Sequence, residues 1–258
     1  MPKSESHGVT INYDIEGQGP PLVLVHGFSG NRNSWRGYGF VDPLKTEYQL
    51  ILIDARGHGK SSKPHDPDAY DYRLLVDDVI AVIDDLNLTT VSYLGYSMGG
   101  TIGFGLGKYY PQRVQSLIVG GCSPFNRTDP TEPSPMLDLY EQAADQGVEL
   151  IIDTFKIWFG SITPEYEARL RNADVRAAAA QLRWMQDHSP DYGNDLSAMT
   201  MPFLIYIGEA DEPAEAQECA TRLPNATFVM LPGLNHVQAA GASELLVPHI
   251  KTFLAETL

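Results

Sequence analysis

Apolar residues along this chain fall into two patterns, one with the period of a strand and one with the period of a helix. Val9 to Ile15 alternates polar and apolar positions and is closed by Gly17, Gly19, Pro20 and Pro21, which predicts an edge strand ending in a turn. Leu22 to Val25, Tyr48 to Ile53, the run from Val91, Val114 to Val119, Phe203 to Ile207 and Thr227 to Leu231 are short apolar runs. Each reads as a strand, and Leu22 to Val25 and Tyr48 to Ile53 have the form of strands buried in a largely parallel sheet. Arg73 to Leu86 differs, with apolar residues at 74, 75, 79, 82, 83 and 86 and aspartates at 77, 78, 84 and 85. That is an amphipathic helix with its acidic side in solvent. Strand, crossover helix and strand in succession mark an α/β fold. Asn33 to Leu44 is a weaker helical pattern, and Val237 to Leu254 predicts a terminal helix packed on the sheet.

The alternation stops between Gly121 and about Thr200. Pro124, Pro130, Pro133 and Pro135 mark a loop, and three helical stretches follow at about Met136 to Gln146, Val148 to Phe159 and Pro164 to Asp187. Pro164 suits a first helical position, and the alanine run from 177 to 180 is a strong helix former. The expected architecture is therefore a mostly parallel central sheet of about seven or eight strands flanked by helices. Residues 1–121 and 200–258 form the core. Residues 122–199 form a helical cap inserted after the sixth strand, above the carboxyl edge of the sheet.

The candidate chemistry lies where these strands end. The run from Val91 enters Gly95-Tyr96-Ser97-Met98-Gly99, a strand-to-helix turn with a serine at its apex. A residue forced into so sharp a turn has neighbours pressed against it, so the positions two before and two after must be nearly without side chains. The turn exposes the Ser97 hydroxyl beside the first free amides of the following helix. Gly103, Gly105 and Gly107 continue that helix against propensity, which close packing on the sheet would explain. They lie too far into the helix to cradle a dinucleotide.

A serine hydroxyl is a weak nucleophile until a base takes its proton. His236 follows the last strand in Pro232-Gly233-Leu234-Asn235-His236 and is the candidate base. The strand from Phe203 ends in Gly208-Glu209-Ala210-Asp211, which offers two acids. Asp211, farther into the loop, is favoured over Glu209. Serine, acid and histidine then each follow a separate strand, with the amides of Phe28 and Met98 as the donors of an oxyanion hole. Asp54-Ala55-Arg56-Gly57-His58-Gly59-Lys60-Ser61 brings an aspartate, an arginine and a histidine together, but it holds no nucleophile and is read as a polar turn that ties down adjacent loops. His65 is read as surface loop.

Composition narrows the partners. The net charge is −15, from 33 acidic and 18 basic residues, which argues against nucleic acid or an anionic membrane surface as a partner. Cys122 and Cys219 are too few for a disulfide framework and lack metal-ligand spacing, so both are read as structural and no metal or cofactor is expected. The segment MPKSESHGVT has no apolar core of the signal-peptide kind, and no run approaches 18 apolar residues, so a cytoplasmic protein is expected. The expected partner is a small, largely apolar ester or ketone. Trp35 and the cap residues Phe155, Trp158, Phe159, Leu182, Trp184 and Met185 are candidates to line its pocket.

Taken together these residues resemble the α/β-hydrolase fold superfamily, and within it the lidded esterase, haloperoxidase-like and carbon–carbon hydrolase branch. Gly95 to Gly99 resembles its nucleophile elbow, His26-Gly27 its oxyanion strand end, and Asp54 to Ser61 its D-x-R-G-x-G-x-S turn. The resemblance covers nearly the whole chain. It implies acyl transfer through Ser97, because dehalogenases and epoxide hydrolases of this fold carry aspartate at that position. The cap matches no motif, which leaves three expectations open. One is hydrolysis of a small to medium carboxylic ester through an acyl-enzyme. Another is carbon–carbon cleavage, lyase action or perhydrolysis on the same triad. The last is a ligand receptor with a vestigial site.

Overall fold

The computed structural model describes residues 2–126, 129–159 and 162–257, without the side chain of Phe159. In chain order the strands are β1 (Lys3–Ser6), β2 (Val9–Glu16), β3 (Pro21–Val25), β4 (Gln49–Ile53), β5 (Val91–Tyr96), β6 (Val114–Gly120), β7 (Phe203–Gly208) and β8 (Ala226–Leu231). The helices are α1 (Asn33–Gly37), α2 (Val41–Leu44), α3 (Tyr72–Asp85), α4 (Met98–Tyr109), α5 (Pro135–Gln146), α6 (Glu149–Phe159), α7 (Pro164–Arg171), α8 (Val175–His188), α9 (Pro213–Arg222), α10 (His236–Ala240) and α11 (Ser243–Thr257). Among the described residues no helix is long and apolar enough to cross a membrane.

The strands form one eight-stranded sheet in the order β1-β2-β4-β3-β5-β6-β7-β8. The pairs β1–β2 and β2–β4 are antiparallel and every pair from β4 to β8 is parallel. Strand β3 sits between β4 and β5, so the chain winds outward from β3 in one direction and then returns to its other side. Open α/β sheets bind ligands at such a switch, beyond the carboxyl ends of the strands. Here the two strands at the switch end in the 26–30 loop and in Ser97.

Burial on both faces explains the continuous apolar runs. Val23, Val25, Ile51, Ile53, Tyr93 and Val119 face the layer of α3 and α4. Their sequence neighbours Leu22, Leu24, Leu50, Leu52, Leu94 and Ile118 face α1, α2 and α11. Helices α5 to α8 follow β6 and enclose their own cluster, which includes Tyr140, Ile151, Ile152, Phe155 and Leu170.

The structure differs from the sequence reading at several places. Val9–Glu16 is not the edge, because the short polar strand β1 pairs outside it. Ser4 and Ser6 are its inward side chains, a face without the apolar alternation that marks a strand. The pattern from Asn33 to Leu44 divides into α1 and α2. The third cap helix is two, since Asp174 opens α8 by accepting a hydrogen bond from the Ala177 amide, so the cap has four helices among the described residues. Gly103 is helical with little room to spare: an added Cβ would meet Tyr93 and Val119 at 2.9 Å.

Candidate active site

The turn at Ser97 is as crowded as its glycines suggested. A Cβ on Gly95 would lie 2.2 Å from the Gly99 carbonyl oxygen, and one on Gly99 would lie 2.2 Å from that of Val25. Ser97 itself has φ 53° and ψ −115°, a conformation costly for a residue with a side chain, and its amide still donates to the Gly120 carbonyl at 2.7 Å. The sheet ladder thus holds the serine on one side while α4 starts on the other. Met98 is the first residue of that helix, where amides have no intrahelical acceptor. Gly27 packs beside the serine, since a Cβ there would be 3.3 Å from the Ser97 Cβ. The backbone at Gly27, one residue before Phe28, is therefore beside the serine.

His236 is fixed by local chemistry. Asn235 and Gln238 form a reciprocal cap: the Asn235 side chain accepts from the Gln238 amide at 3.0 Å, and the Gln238 side chain accepts from the Asn235 amide at 3.1 Å. That cap places His236 at the first position of α10. The Tyr96 hydroxyl donates to the His236 carbonyl at 2.5 Å, and the two rings lie 5.2 Å apart. Burial raises the Tyr96 phenol well above its ordinary pKa, so it stays a neutral donor. Gly208 lets the histidine loop approach β7, because a Cβ there would strike the Leu234 carbonyl at 2.1 Å.

The three candidates converge. His236 Nδ1 is 2.7 Å from an Asp211 carboxylate oxygen, and His236 Nε2 is 3.1 Å from the Ser97 Oγ. With Asp211 accepting the Nδ1 proton, Nε2 presents a lone pair to the serine. The His236 side chain is 44 % exposed and that of Asp211 20 %, so the imidazole is within reach of solvent and ligands. Glu209 is used otherwise, accepting from the Gly233 amide at 2.8 Å and bracing the turn that leads to His236.

The segment from Asp54 to Ser61 is a structural knot. The Asp54 carboxylate accepts from the Arg32 and Lys60 amides, each at 2.8 Å, and pairs with the Arg32 guanidinium. Arg56 donates to Asp78 at 2.9 and 2.6 Å in a buried ion pair. His58 accepts from the Ser29 amide at 3.2 Å, and its Nδ1 donates to the Arg56 carbonyl at 3.0 Å. His26 repeats the pattern, accepting from the Ala55 amide at 3.2 Å and donating to the Gly27 carbonyl at 2.8 Å. Burial pushes the imidazoles of His26 and His58 down to about 4 and about 3, so both rings are neutral. The loop that carries Phe28 is held by these neutral rings. His65 lies on the surface, 3.1 Å from Asp174.

The candidate pocket residues separate. Trp35 is 1 % exposed and packs edge-on against Phe40 in the cluster with α2 and α11, on the sheet face away from the cap helix α8. Its short helix turns under the sheet instead of over it. Phe155 is buried within the cap, stacked on Trp158 and Tyr166, and Trp158 is 45 % exposed. Leu182 packs against that cap cluster. Trp184 and Met185 join the core cluster that also contains Met98 and Phe28. The Phe159 side chain lies outside the described residues. Residues that the sequence did not single out come closer. Gln181, fully buried on α8, donates to the Met98 sulfur at 2.9 Å, and Tyr166 on α7 hydrogen-bonds Ser29 at 3.0 Å. A lone polar residue amid the alanines of α8 was the available signal for Gln181. Burial holds the Cys122 thiol protonated, and the Cys219 thiol is pushed up to about 12.

The family model for the alpha/beta hydrolase fold matches residues 20–163, more than half of the chain, and the protein belongs to that family. Two relatives of known sequence span nearly all of it. One, from Synechocystis sp., is provisionally named a non-heme chloroperoxidase and is 29 % identical, with 98 % of this chain and 97 % of that protein covered. The other, from Bacillus subtilis, is provisionally named 2-succinyl-6-hydroxy-2,4-cyclohexadiene-1-carboxylate synthase and is 26 % identical, with 95 % of each covered. Among solved structures, an enol-lactonase from Burkholderia xenovorans LB400 superposes with a TM-score of 0.82 at 21 % identity, covering 98 % of this chain and 100 % of that one, a likeness of fold.

Proposed function

We propose that this protein is a hydrolase-fold enzyme acting on a small organic carbonyl compound through Ser97. The observation that carries this reading is the unbroken line from the Ser97 Oγ to His236 Nε2 at 3.1 Å and from His236 Nδ1 to Asp211 at 2.7 Å, on a serine held at positive φ. In this reading Ser97 adds to the carbonyl carbon while His236 takes its proton. Asp211 holds the imidazole in the tautomer that can accept it and stabilises the imidazolium. The charge that develops on the carbonyl oxygen rests on the amides of Met98 and Phe28. His236 then returns the proton to the leaving group, and water, deprotonated by the same imidazole, releases the acid and restores the Ser97 hydroxyl.

The leaving group decides the chemistry. An alkoxide makes the reaction ester hydrolysis. A stabilised carbanion, protonated at carbon, makes it carbon–carbon cleavage. Hydrogen peroxide in place of water on the acyl-enzyme makes it perhydrolysis. The two near-full-length relatives are named for a peroxidase and a synthase, neither of which is ester hydrolysis. We therefore rank carbon–carbon cleavage, lyase or perhydrolase chemistry ahead of plain carboxylester hydrolysis as the natural reaction.

Intact-mass measurement with a fluorophosphonate probe tests the nucleophile. One adduct on the wild type and none on Ser97→Ala is the expected result; a wild type that forms no adduct overturns the reading. A panel of aryl esters, 1,5-diketones and peroxide with acetate then ranks the chemistries. Highest turnover on a diketone or in the peroxide assay is expected, and highest turnover on a simple ester would reverse the ranking.

A further inference from the structure

Between the 26–33 loop, the knot at 54–63 and the cap helices α7 and α8 lies a cleft of about 440 Å³ that the proposed chemistry does not use. Two polar groups on its wall are buried without a hydrogen-bond partner, the Arg169 Nε and the Tyr140 hydroxyl. Both are donors in the protonation states they hold at neutral pH. Arg169 Nη1 donates to the Ser34 hydroxyl at 2.8 Å, and its Cζ lies 4.6 Å above the Tyr166 ring. No carboxylate of the described residues pairs with it. A guanidinium half withdrawn from water without a counter-charge is costly, and it stands out in a chain with 33 acids to 18 bases.

The other charged groups around the cleft are occupied or at its rim. Asp54 is held by Arg32 and two amides, and Asp174 caps α8 and faces His65. Glu165 is exposed in the first turn of α7. Lys63 donates only to the Gly59 and Ser61 carbonyls, at 2.6 and 3.1 Å, while Lys60 contributes its amide to Asp54. With Nη1 committed to Ser34, the edge of Arg169 left for a ligand is Nε with Nη2, the pair that matches the two oxygens of a carboxylate. A phosphate dianion would meet Asp54, Asp174 and Glu165 with twice the charge of a carboxylate, and the Nε–Nη2 edge would engage two of its oxygens.

The cleft adjoins the proposed site through one loop. Ser29 and Gly30 line it, Phe28 precedes them, and the Phe28 ring packs edge-on against Tyr140 at 5.5 Å. We propose that this cleft is a carboxylate subsite, with Arg169 and Tyr140 as its donors, that selects substrates bearing an acidic group in addition to the reacting carbonyl. The subsite deepens the reading of Ser97 as nucleophile and rests on it for the word substrate; the binding itself does not.

Calorimetric titration of the Ser97→Ala protein with glutarate tests the binding without turnover. Glutarate is expected to bind, and Arg169→Gln in that background to weaken it about tenfold or more. Arg169→Lys, which keeps the charge and loses the fork, should fall between, and Tyr140→Phe should weaken binding about threefold. Neutral glutaramide and inorganic phosphate should each bind at least about tenfold more weakly than glutarate. Glutarate affinity that Arg169→Gln leaves unchanged at an unchanged Tm overturns the subsite, as does absent binding or phosphate that matches glutarate. Fluorophosphonate labelling of the wild type separates the two claims. An adduct with Arg169-independent glutarate binding ends the subsite and keeps Ser97. No adduct with Arg169-dependent binding does the reverse.

Discussion

Two kinds of histidine sit at the same sheet edge. His26 and His58 are buried, their rings 5.1 Å apart, with each Nδ1 donating to a carbonyl and each Nε2 accepting from an amide. His236 is partly exposed and gives one nitrogen to a carboxylate and the other to a serine. The first pair cannot move a proton without breaking backbone hydrogen bonds and charging an imidazole in a dry site. In the proposed reading the single ring can, with Asp211 supporting the cation and Ser97 supplying the proton. An imidazole in such a protein is thus assigned by what its second nitrogen touches, and its closeness to the site decides little.

The largest effect separates the two kinds by activity. His236→Ala should lower kcat/KM by about 10⁴-fold, and Asp211→Asn by about the same, because the wrong tautomer then faces Ser97. Glu209→Gln and His58→Gln should stay within about tenfold of wild type, since neither touches the reacting atoms in this reading. The measurement is kcat/KM on whichever substrate the panel identifies. If His58→Gln lost as much as His236→Ala in a folded protein, the contrast would be broken.

That contrast is partly legible in the sequence. Ser97 announces itself through Gly95 and Gly99, because a Cβ at either position would lie 2.2 Å from a carbonyl oxygen, that of Gly99 or that of Val25. The order of strands and loops brings Asp211 and His236 to the same edge, and the lack of a glycine-flanked strand-to-helix turn around Ser61 points to a structural knot from Asp54 to Ser61. Trp35 was not legible. Its place depends on whether the short helix after the 26–30 loop turns above or below the sheet, and a five-residue helix carries too little periodicity to say. Arg169 and Tyr140 were invisible for a different reason. A charged residue on a surface helix looks alike in sequence whether or not a carboxylate reaches it, so only the missing partner distinguishes it.

A smaller effect probes the knot itself. Arg56→Met leaves the Asp78 carboxylate buried beside an apolar side chain, and burial already pushes that carboxyl up with Arg56 in place. Unfolding by denaturant should show a loss of roughly 3–5 kcal/mol. Activity per folded molecule should be kept within about threefold, because the ion pair holds the turn and not the substrate. A stable but inactive Arg56→Met protein would place the knot in the chemistry and erase the division between the two kinds of histidine.

The smallest effect is in pH, and its sign follows from burial. His26 and His58 are held down to about 4 and about 3 in the folded protein, against about 6.5 for a free imidazole. Between those values the unfolded chain binds protons that the folded chain refuses. The stability these neutral rings carry is therefore complete above about pH 6.5 and is lost as pH falls below it. Near pH 5 each ring should contribute a slope of about 1.4 kcal/mol per pH unit. Against the opposing effect of burial, the Asp14 carboxyl is lowered by Arg32 and Arg36 and that of Asp174 by hydrogen bonds from His65 and the Ala177 amide, so both lose their contribution only below about pH 4. In the window from about pH 4.5 to 6.5 the two imidazoles lower stability as pH falls, while Asp78, whose carboxyl burial raises, acts in the opposite sense and is common to both proteins compared. His58→Gln, compared with wild type by urea unfolding across that window, should remove about half of the histidine slope. An unchanged slope would mean that His58 takes up its proton in the folded state as readily as in the unfolded one. The buried ring would then be free to titrate, and only its neighbours, not its chemistry, would set it apart from His236.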